Sequence, residues 1–214
     1  KEIHFPHSIG LFYSAITYFL DFKVNSDEYK VMGLAAYGNG ESAETIKFIE
    51  IIENQLIRLG SNGNFELNMS YFSFHHSLTM VKTKKWEQLF GIKKREAFEL
   101  TQTQCNLAYA FQKVTQKAVL NLCHEIKAIT KSNNLCLAGG VALNGVINGI
   151  IKDKKIFENI FITPASGDAG GALGAALVAA HLHFEHQRTI RLPDNLSNSL
   201  LGNAYSDEAI YEVV

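Results

Sequence analysis

Between residues 134 and 177 short apolar runs alternate with helical segments, and this alternation constrains the fold more than any other feature of the chain. LCLAGG (135–140) precedes VALNGVINGII (141–151), then ENIFITP (158–164), then ASGDAGGALGAAL (165–177). The order reads β-α-β-α. A helix that joins two strands of one sheet crosses over right-handed and leaves the strands parallel. Ligands of such sheets gather at the carboxyl ends of the strands. Both glycine-rich junctions, Gly139 with Gly140 and residues 167–171, fall at those ends.

The rest of the chain reads mainly as helix. Ser8 opens a pattern with Ile9, Phe12, Ile16, Phe19 and Leu20 on one side, which closes near Asp21. In EYKVMGLAAYGNG (28–40), Met32, Leu34 and Ala35 suit a short helix, and Gly38 and Gly40 suit its stop. Ile46, Ile49, Ile52, Leu56 and Leu59 predict an amphipathic helix over 43–59. SNGN (61–64) marks a turn before a strand at 65–67. Residues 70–100, with Trp86 and most of the clustered lysines, are the least regular part. Leu107, Phe111, Val114, Ala118, Leu122, Ile126 and Ile129 step by four or three, which predicts a long helix with one apolar face, ended by Asn133 and Asn134. After about His186 the tail turns polar and irregular. No internal repeat is visible.

At 47% hydrophobic and 19% charged, the 214 residues can bury a substantial core. A net charge of −1 supplies no basic field for nucleic acid. Cys105, Cys123 and Cys136 cannot all pair, form no CxxC and sit inside apolar patterns. The expectation is buried, reduced thiols in a cytoplasmic protein. No run reaches the roughly 18–20 apolar residues of a membrane span. The start, KEIHFPHS, has neither the apolar core of a signal peptide nor an initiator methionine, so the chain is expected to begin inside a longer protein.

Glycines after a strand let backbone N–H groups approach a ligand without a Cβ in the way, and the following helix N-terminus favours negative charge. In GGVALN, Asn144 falls near the first helical turn, where its amide can bond a ribose or phosphate; a tight strand-to-helix turn with an ordinary asparagine reads equally well. Asp168 has the same two readings. An aspartate stabilises a first helical turn by roughly 1 kcal/mol. With Ser166 available as the cap, however, Asp168 is free to hold a divalent metal. A dinucleotide fingerprint ending at Gly174 fails, because its second glycine position holds Ala169. The small side of the following helix (Gly170, Gly171, Gly174, Ala175) suits a close approach of sheet or ligand. His181, His183 and His186 lack metal spacing and read as a surface cluster. His75 and His76 line a cleft or cap a loop. His7 reads as a turn residue near a helix start, with a phosphate contact as the other option.

Three segments together resemble the O-carbamoyltransferase family, the nodulation-protein-U and antibiotic carbamoyltransferase type. They are HSIGLFYSAITYFLDFKVNSDEYKVMGLAAYG (7–38), CLAGGVALNGVING (136–149) and FITPASGDAGGALGAAL (161–177), in the family's order. The resemblance implies an α/β fold. Residues 1–187 would be the second half of an actin/sugar-kinase/Hsp70-like domain close to the tRNA threonylcarbamoyl transferases, with a mixed sheet and the parallel β-α-β unit. Residues 188–214 would be a tail towards a YrdC-like domain. It further implies an enzyme in which carbamoyl phosphate and ATP give carbamoyladenylate, and the carbamoyl group passes to a hydroxyl of a small molecule such as a sugar. Gly139, Gly140 and Asn144 match the family's nucleotide-contacting motif, and Gly167 is placed with them. Asp168 matches the aspartate that holds a divalent metal, iron, together with two histidines. Those histidines have no HxxxH counterpart here. Glu28 and Lys30 match an E-x-K placed near nucleotide or acceptor. On this reading the segment alone does not complete a turnover, and a homodimer is an expectation. Three alternatives stand beside it: a tRNA threonylcarbamoyl transferase-like enzyme, a sugar-kinase-like phosphotransferase and a non-catalytic nucleotide-binding module.

Overall fold

A computed structural model describes residues 2–96, 100–190 and 202–213. Ser8 caps helix α1 (Ile9–Phe19), its hydroxyl accepting the Leu11 N–H at 3.2 Å. Helix α2 (Glu28–Ala35) follows, then α3 (Ala43–Ile51), capped by Ser42. The helix predicted over 43–59 does not run through. A π-helical turn over Ile52–Leu56 widens its end, and residues 57–59 leave it as strand β1 (Ile57–Leu59). β1 pairs antiparallel with β2 (Phe65–Leu67), Arg58 opposite Glu66 in a cross-strand ion pair. Ile52, Leu56 and Leu59 keep a helical spacing, while Ile57 and Leu59 flank Arg58 in a strand alternation, so pairing with β2 decides. The turn between them seats Gly63 against α5 (Gln102–Thr130); a Cβ there would lie 3.0 Å from the Asn121 carbonyl.

Gly38 and Gly40 do not stop α2 in a left-handed conformation. The helix ends at Ala36 with right-handed dihedrals. The glycines serve packing instead: a Cβ on Gly38 would lie 2.7 Å from the Cys105 carbonyl oxygen, and one on Gly40 2.4 Å from the Tyr109 hydroxyl. Asn106 secures this loop, accepting the Asn39 N–H at 2.8 Å and donating to Glu44 at 2.7 Å.

The stretch least regular in sequence contains α4 (Thr83–Phe90) and the centre of the larger core. Trp86 is fully buried and stacks on Phe111 of α5, centroids 5.4 Å apart, with Phe19 at 5.3 Å. Its indole N–H donates to the Tyr71 carbonyl, so the buried polar atom is satisfied. Phe12, Phe72 and Phe90 complete the aromatic cluster.

α5 is 29 residues long, about 43 Å at 1.5 Å per residue. Thr101 and Gln104 form a capping box at its start, and Lys131 ends it in a left-handed conformation. Asn134 already belongs to β3 (Asn134–Leu137), which pairs parallel with β4 (Asn159–Ile162); α6 (Gly145–Asp153) lies between them in the chain. Val119 and Cys123 of α5, Leu135, Ile147, Ile151 and Phe157 form a second core under one face of this pair. Strand alternation puts Cys136 and Phe161, register partners, on the other face, and both are exposed. Cys136 is therefore not the buried thiol expected from its apolar surroundings. Among the described residues the strands form two separate two-stranded sheets, not one mixed sheet.

Helix α7 (Gly171–Val178) follows β4 with none of its residues buried. No sheet approaches its small side among the described residues. Gly170 alone sits tight, where a Cβ would lie 2.1 Å from the Ala165 carbonyl oxygen. A π-helical turn (Ala179–His183) carries His181, whose Nδ1 is 2.8 Å from the His186 carbonyl; His183 and His186 are exposed. The tail is not wholly irregular. Ser206 caps α8 (Asp207–Tyr211), while residues 191–201, much of the polar tail, lie outside the described residues. No described helix is long and apolar enough to cross a membrane.

Trp86→Ala should cost about 3–5 kcal/mol in urea unfolding, since it empties the aromatic centre. Burial pushes the Cys123 thiol from 9.0 up to about 11. The unfolded chain ionises first, so stability is fully present below pH 9 and is lost as pH rises towards 11. Cys123→Ala should flatten that alkaline loss, and a thiol reagent should label Cys136 well before Cys105 or Cys123.

Candidate functional site

The β-α-β unit sets the site's frame. β3 runs into Gly139, which adopts φ 96° and ψ 167°, a conformation open to glycine and strained for any side chain. A 3-10 turn follows over Gly140–Leu143, then α6. β4 runs into Ser166 and Gly167, then a 3-10 turn over Asp168–Gly170 and α7. The two junctions touch: the Gly139 N–H donates to the Ser166 carbonyl at 2.7 Å. A Cβ on Gly167 would lie 3.4 Å from Leu143, whereas Gly139, Gly140 and Gly145 look onto open space. The cradle thus differs from the one the glycine pattern suggests. The Gly139 N–H is committed to the partner loop, which leaves Gly140 and Val141, at the start of the turn, as the N–H groups without an intrahelical partner.

Ser166 does not cap the helix behind it. Gly167 holds the cap position with no side-chain bond, and the Ser166 hydroxyl is buried without a partner among the described residues, its carbonyl serving the Gly139 bond instead. Asp168 sits in the first turn, exposed, and makes no hydrogen bond or ion pair among the described residues. It offers a metal one carboxylate. The described residues contain no group of three His, Cys, Asp or Glu that could hold an ion, so they do not make a metal site by themselves.

Asn144 is 9% exposed and joins the turn to α6. Its Oδ1 caps the helix by accepting the Ile147 N–H at 3.1 Å, and also accepts from Gln112 Nε2 at 3.1 Å. Its Nδ2 donates back to Gln112 Oε1 at 3.0 Å, which further accepts the Tyr13 hydroxyl at 2.7 Å. The backbone donor fixes the polarity of this network. An N–H can only donate, so the Asn144 oxygen faces Ile147, its nitrogen faces the Gln112 oxygen, and Tyr13 donates. Burial pushes the Tyr13 phenol above its ordinary range; the Asn144 amide pulls it down and the nearby Glu28 charge pushes it further up.

Glu28 and Lys30 part company. Glu28, half-buried at the start of α2, accepts from Ser14 Oγ at 2.8 Å and from the Asn25 N–H at 2.9 Å. Lys30 points outward and pairs with Asp27 at 3.0 Å. This pairing and the Lys23 N–H hold the Asp27 carboxyl below its ordinary value. Glu28 and Asn144 therefore stand at two ends of one polar cluster, through Ser14 and Tyr13 on neighbouring positions of α1 and Gln112 on α5. Sequence spacing missed Tyr13, Ser14 and Gln112. One signal was present: the helical row Ala108, Gln112, Thr115 and Val119 sets polar groups between apolar ones, and all four are buried.

The histidines stand apart from this cluster. His7 Nδ1 accepts the Leu67 N–H at 3.1 Å and ties the chain start to β2, so it works as a structural residue. His75 and His76 lie on an exposed loop, ring nitrogens 2.9 Å apart. Partial desolvation, then His76 and Lys82, lower the His75 pKa.

Asn144→Ala removes a helix cap and strands the Gln112 amide, and should cost about 1–3 kcal/mol in chemical denaturation. Asn144→Asp keeps the cap but sets a buried carboxylate oxygen against Gln112 Oε1, so it should recover little of that loss.

Residues 1–177 match the family described as carbamoyltransferase N-terminus. The uncharacterized protein sll1178 of Synechocystis is 47% identical over 98% of this chain and 33% of its own length. Nodulation protein NolO of Bradyrhizobium diazoefficiens is 30% identical over 96% of the chain and 35% of its own. Nodulation protein U of Azorhizobium caulinodans is 26% identical over 70% of the chain. The chain spans about a third of the length of the first two relatives. With a family match across both glycine junctions and the α1–α2 region that reaches them, the chain belongs to the carbamoyltransferase family.

Proposed function

We propose that this chain is part of an ATP- and metal-dependent O-carbamoyltransferase. Its parent moves a carbamoyl group from carbamoyl phosphate, through carbamoyladenylate, to a hydroxyl of a small molecule such as a sugar. The observation that carries this reading is the bonded pair of glycine junctions at the carboxyl edge of a parallel strand pair, in a chain of this family. Such an edge suits a nucleotide, because the bare backbone at Gly140 admits close approach and the orphan N–H groups behind it favour an anion. The same support underlies the reading of the fold as half of an actin/sugar-kinase/Hsp70-like domain.

In this proposal Gly139, Gly140, Asn144 and Gly167 form the nucleotide wall. Glu28 has one carboxylate oxygen engaged by Ser14 and Asn25, and the other is open to an acceptor hydroxyl. Lys30, bound to Asp27 on the outside of α2, fits a role in holding the acceptor's approach rather than in proton transfer. Asp168 is one ligand of a divalent metal, iron, whose chemistry would be to polarise the carbamoyl carbonyl as a Lewis acid. One exposed carboxylate does not hold such an ion by itself. For the same reason the segment alone is not expected to turn over. The location proposed is the cytoplasm.

The test is direct. The intact protein, incubated with carbamoyl phosphate, ATP and a sugar, should yield a carbamoylated sugar by mass spectrometry. Transfer of phosphate with no carbamoyl product would replace this reading with the phosphotransferase one. Asp168→Asn should abolish carbamoyl transfer and lower bound metal while changing stability by less than about 0.5 kcal/mol, as suits an exposed, unpaired side chain. Stability lost with metal content unchanged would return Asp168 to a helix-start role.

A further inference from the structure

The 3-10 turn over Gly140–Leu143 does not continue into α6, because Asn144 between them is extended, with ψ 92°. The break denies the turn's carbonyls the partners that a continuous helix would supply from four residues on. The Gly139 carbonyl accepts the Ala142 N–H at 3.0 Å and the Val141 carbonyl the Asn144 N–H at 3.0 Å. The Ala142 carbonyl is met by a side chain instead. Asn148, in the first turn of α6, donates Nδ2 to it at 2.8 Å, while its own N–H donates to the Asn144 carbonyl at 3.1 Å. A carbonyl can only accept, so this contact fixes which end of the Asn148 carboxamide is nitrogen. Its Oδ1 is then left buried with no partner among the described residues. An unmet buried acceptor is unfavourable, and asparagine is a poorer helix residue than alanine. Neither burial nor helix formation accounts for an asparagine here. The favourable contact its side chain makes is the one that holds the turn.

We infer that Asn148 is a positioning residue of the nucleotide wall. By tying the Ala142 carbonyl to α6 it keeps the Gly140–Leu143 turn in the orientation that leaves the Gly140 backbone open. The turn is fastened at both ends. At its entrance the Gly139 N–H bonds the Ser166 carbonyl at 2.7 Å, and at its exit Asn148 bonds Ala142. Gly140 lies between these ties, with open space where a Cβ would stand. Gly139, Gly140 and Gly145 surround the turn, and glycine backbone has the most conformational freedom to lose. No side chain of theirs braces the loop, so the brace comes from Asn148. A turn ordered in advance spares a ligand the cost of ordering it. The inference rests on the nucleotide reading above. It adds a residue that acts on the ligand only through the turn.

Hydrogen exchange and ligand titration on the intact protein test it together. AMP, the adenylate portion of carbamoyladenylate, is titrated calorimetrically well below the melting temperature. Asn148→Ala removes the donor along with the orphaned oxygen and puts a better helix former into α6, so the melting temperature should move little. The bonded Ala142 and Asn144 amides should nevertheless exchange about fivefold faster or more, and AMP binding should weaken about tenfold. Asn148→Leu fills the space of the carboxamide and serves where Asn148→Ala does not fold, with the same two changes expected. Unchanged exchange at Ala142 and Asn144 overturns the proposal. Faster exchange there with unchanged AMP affinity overturns it too, and leaves Asn148 a local brace. So does weakened AMP binding with faster exchange throughout the chain, since general loosening then accounts for it. A wild-type protein that binds no AMP overturns the nucleotide reading itself, and this inference with it.

Discussion

Helix α5 is common to both hydrophobic cores, and the placement of the site depends on it. Leu107, Phe111 and Val114 pack into the aromatic core, and Val119 and Cys123 into the core under β3. A continuous helix of this length transmits position rigidly, because each turn is fixed to the next by its own backbone hydrogen bonds. Gln112 sits next to Phe111 of the first set and about two turns before Val119 of the second. On one side it meets Tyr13, held by the first core, and on the other Asn144, held by the second. The junction loop is thus aligned with α1 and α2 through one helix rather than through loops, which suits a site whose parts must hold a fixed geometry.

The glycine junctions divide their backbone groups between holding and offering. The Gly139 N–H bonds the Ser166 carbonyl and fastens the two loops together. Gly140 then presents backbone with no side chain in front of it. Across the same edge Asp168 stands in water, with no cation from the described residues to neutralise it. A carboxylate beside orphan N–H groups gives a short surface with one anionic and one anion-accepting part.

Much of this was legible in the sequence. The four-and-three spacing from Leu107 to Ile129 predicted α5, and the apolar runs about 135 and 160 predicted the parallel pair, since both periodicities are strong and local. Ser8 as a cap and the turn at 61–64 were also readable. The strand at 57–59 was not, because the alternation Ile57–Arg58–Leu59 is too short to outweigh the helical spacing of Ile52, Leu56 and Leu59 until a partner strand exists. Trp86 gave no sign that it centres a core, because α4 is short and lysine-rich. Ser166 looked like a cap by type, but its carbonyl, which the sequence does not display, is what the fold uses. Cys136 looked buried because its neighbours are apolar, whereas the described face of its strand is open.

By itself the sequence determined which segments are helices and strands, the parallel order of β3 and β4, and the two glycine junctions at their carboxyl ends. These rest on interactions between residues close in the chain. Only the tertiary structure decided that the junctions are bonded to each other, that Glu28 turns inward while Lys30 turns out, and that Gln112 pairs with Asn144 across 32 positions of the chain. Those outcomes depend on which buried polar groups meet once the cores close. A buried donor must find an acceptor wherever packing brings one, whatever its distance in sequence.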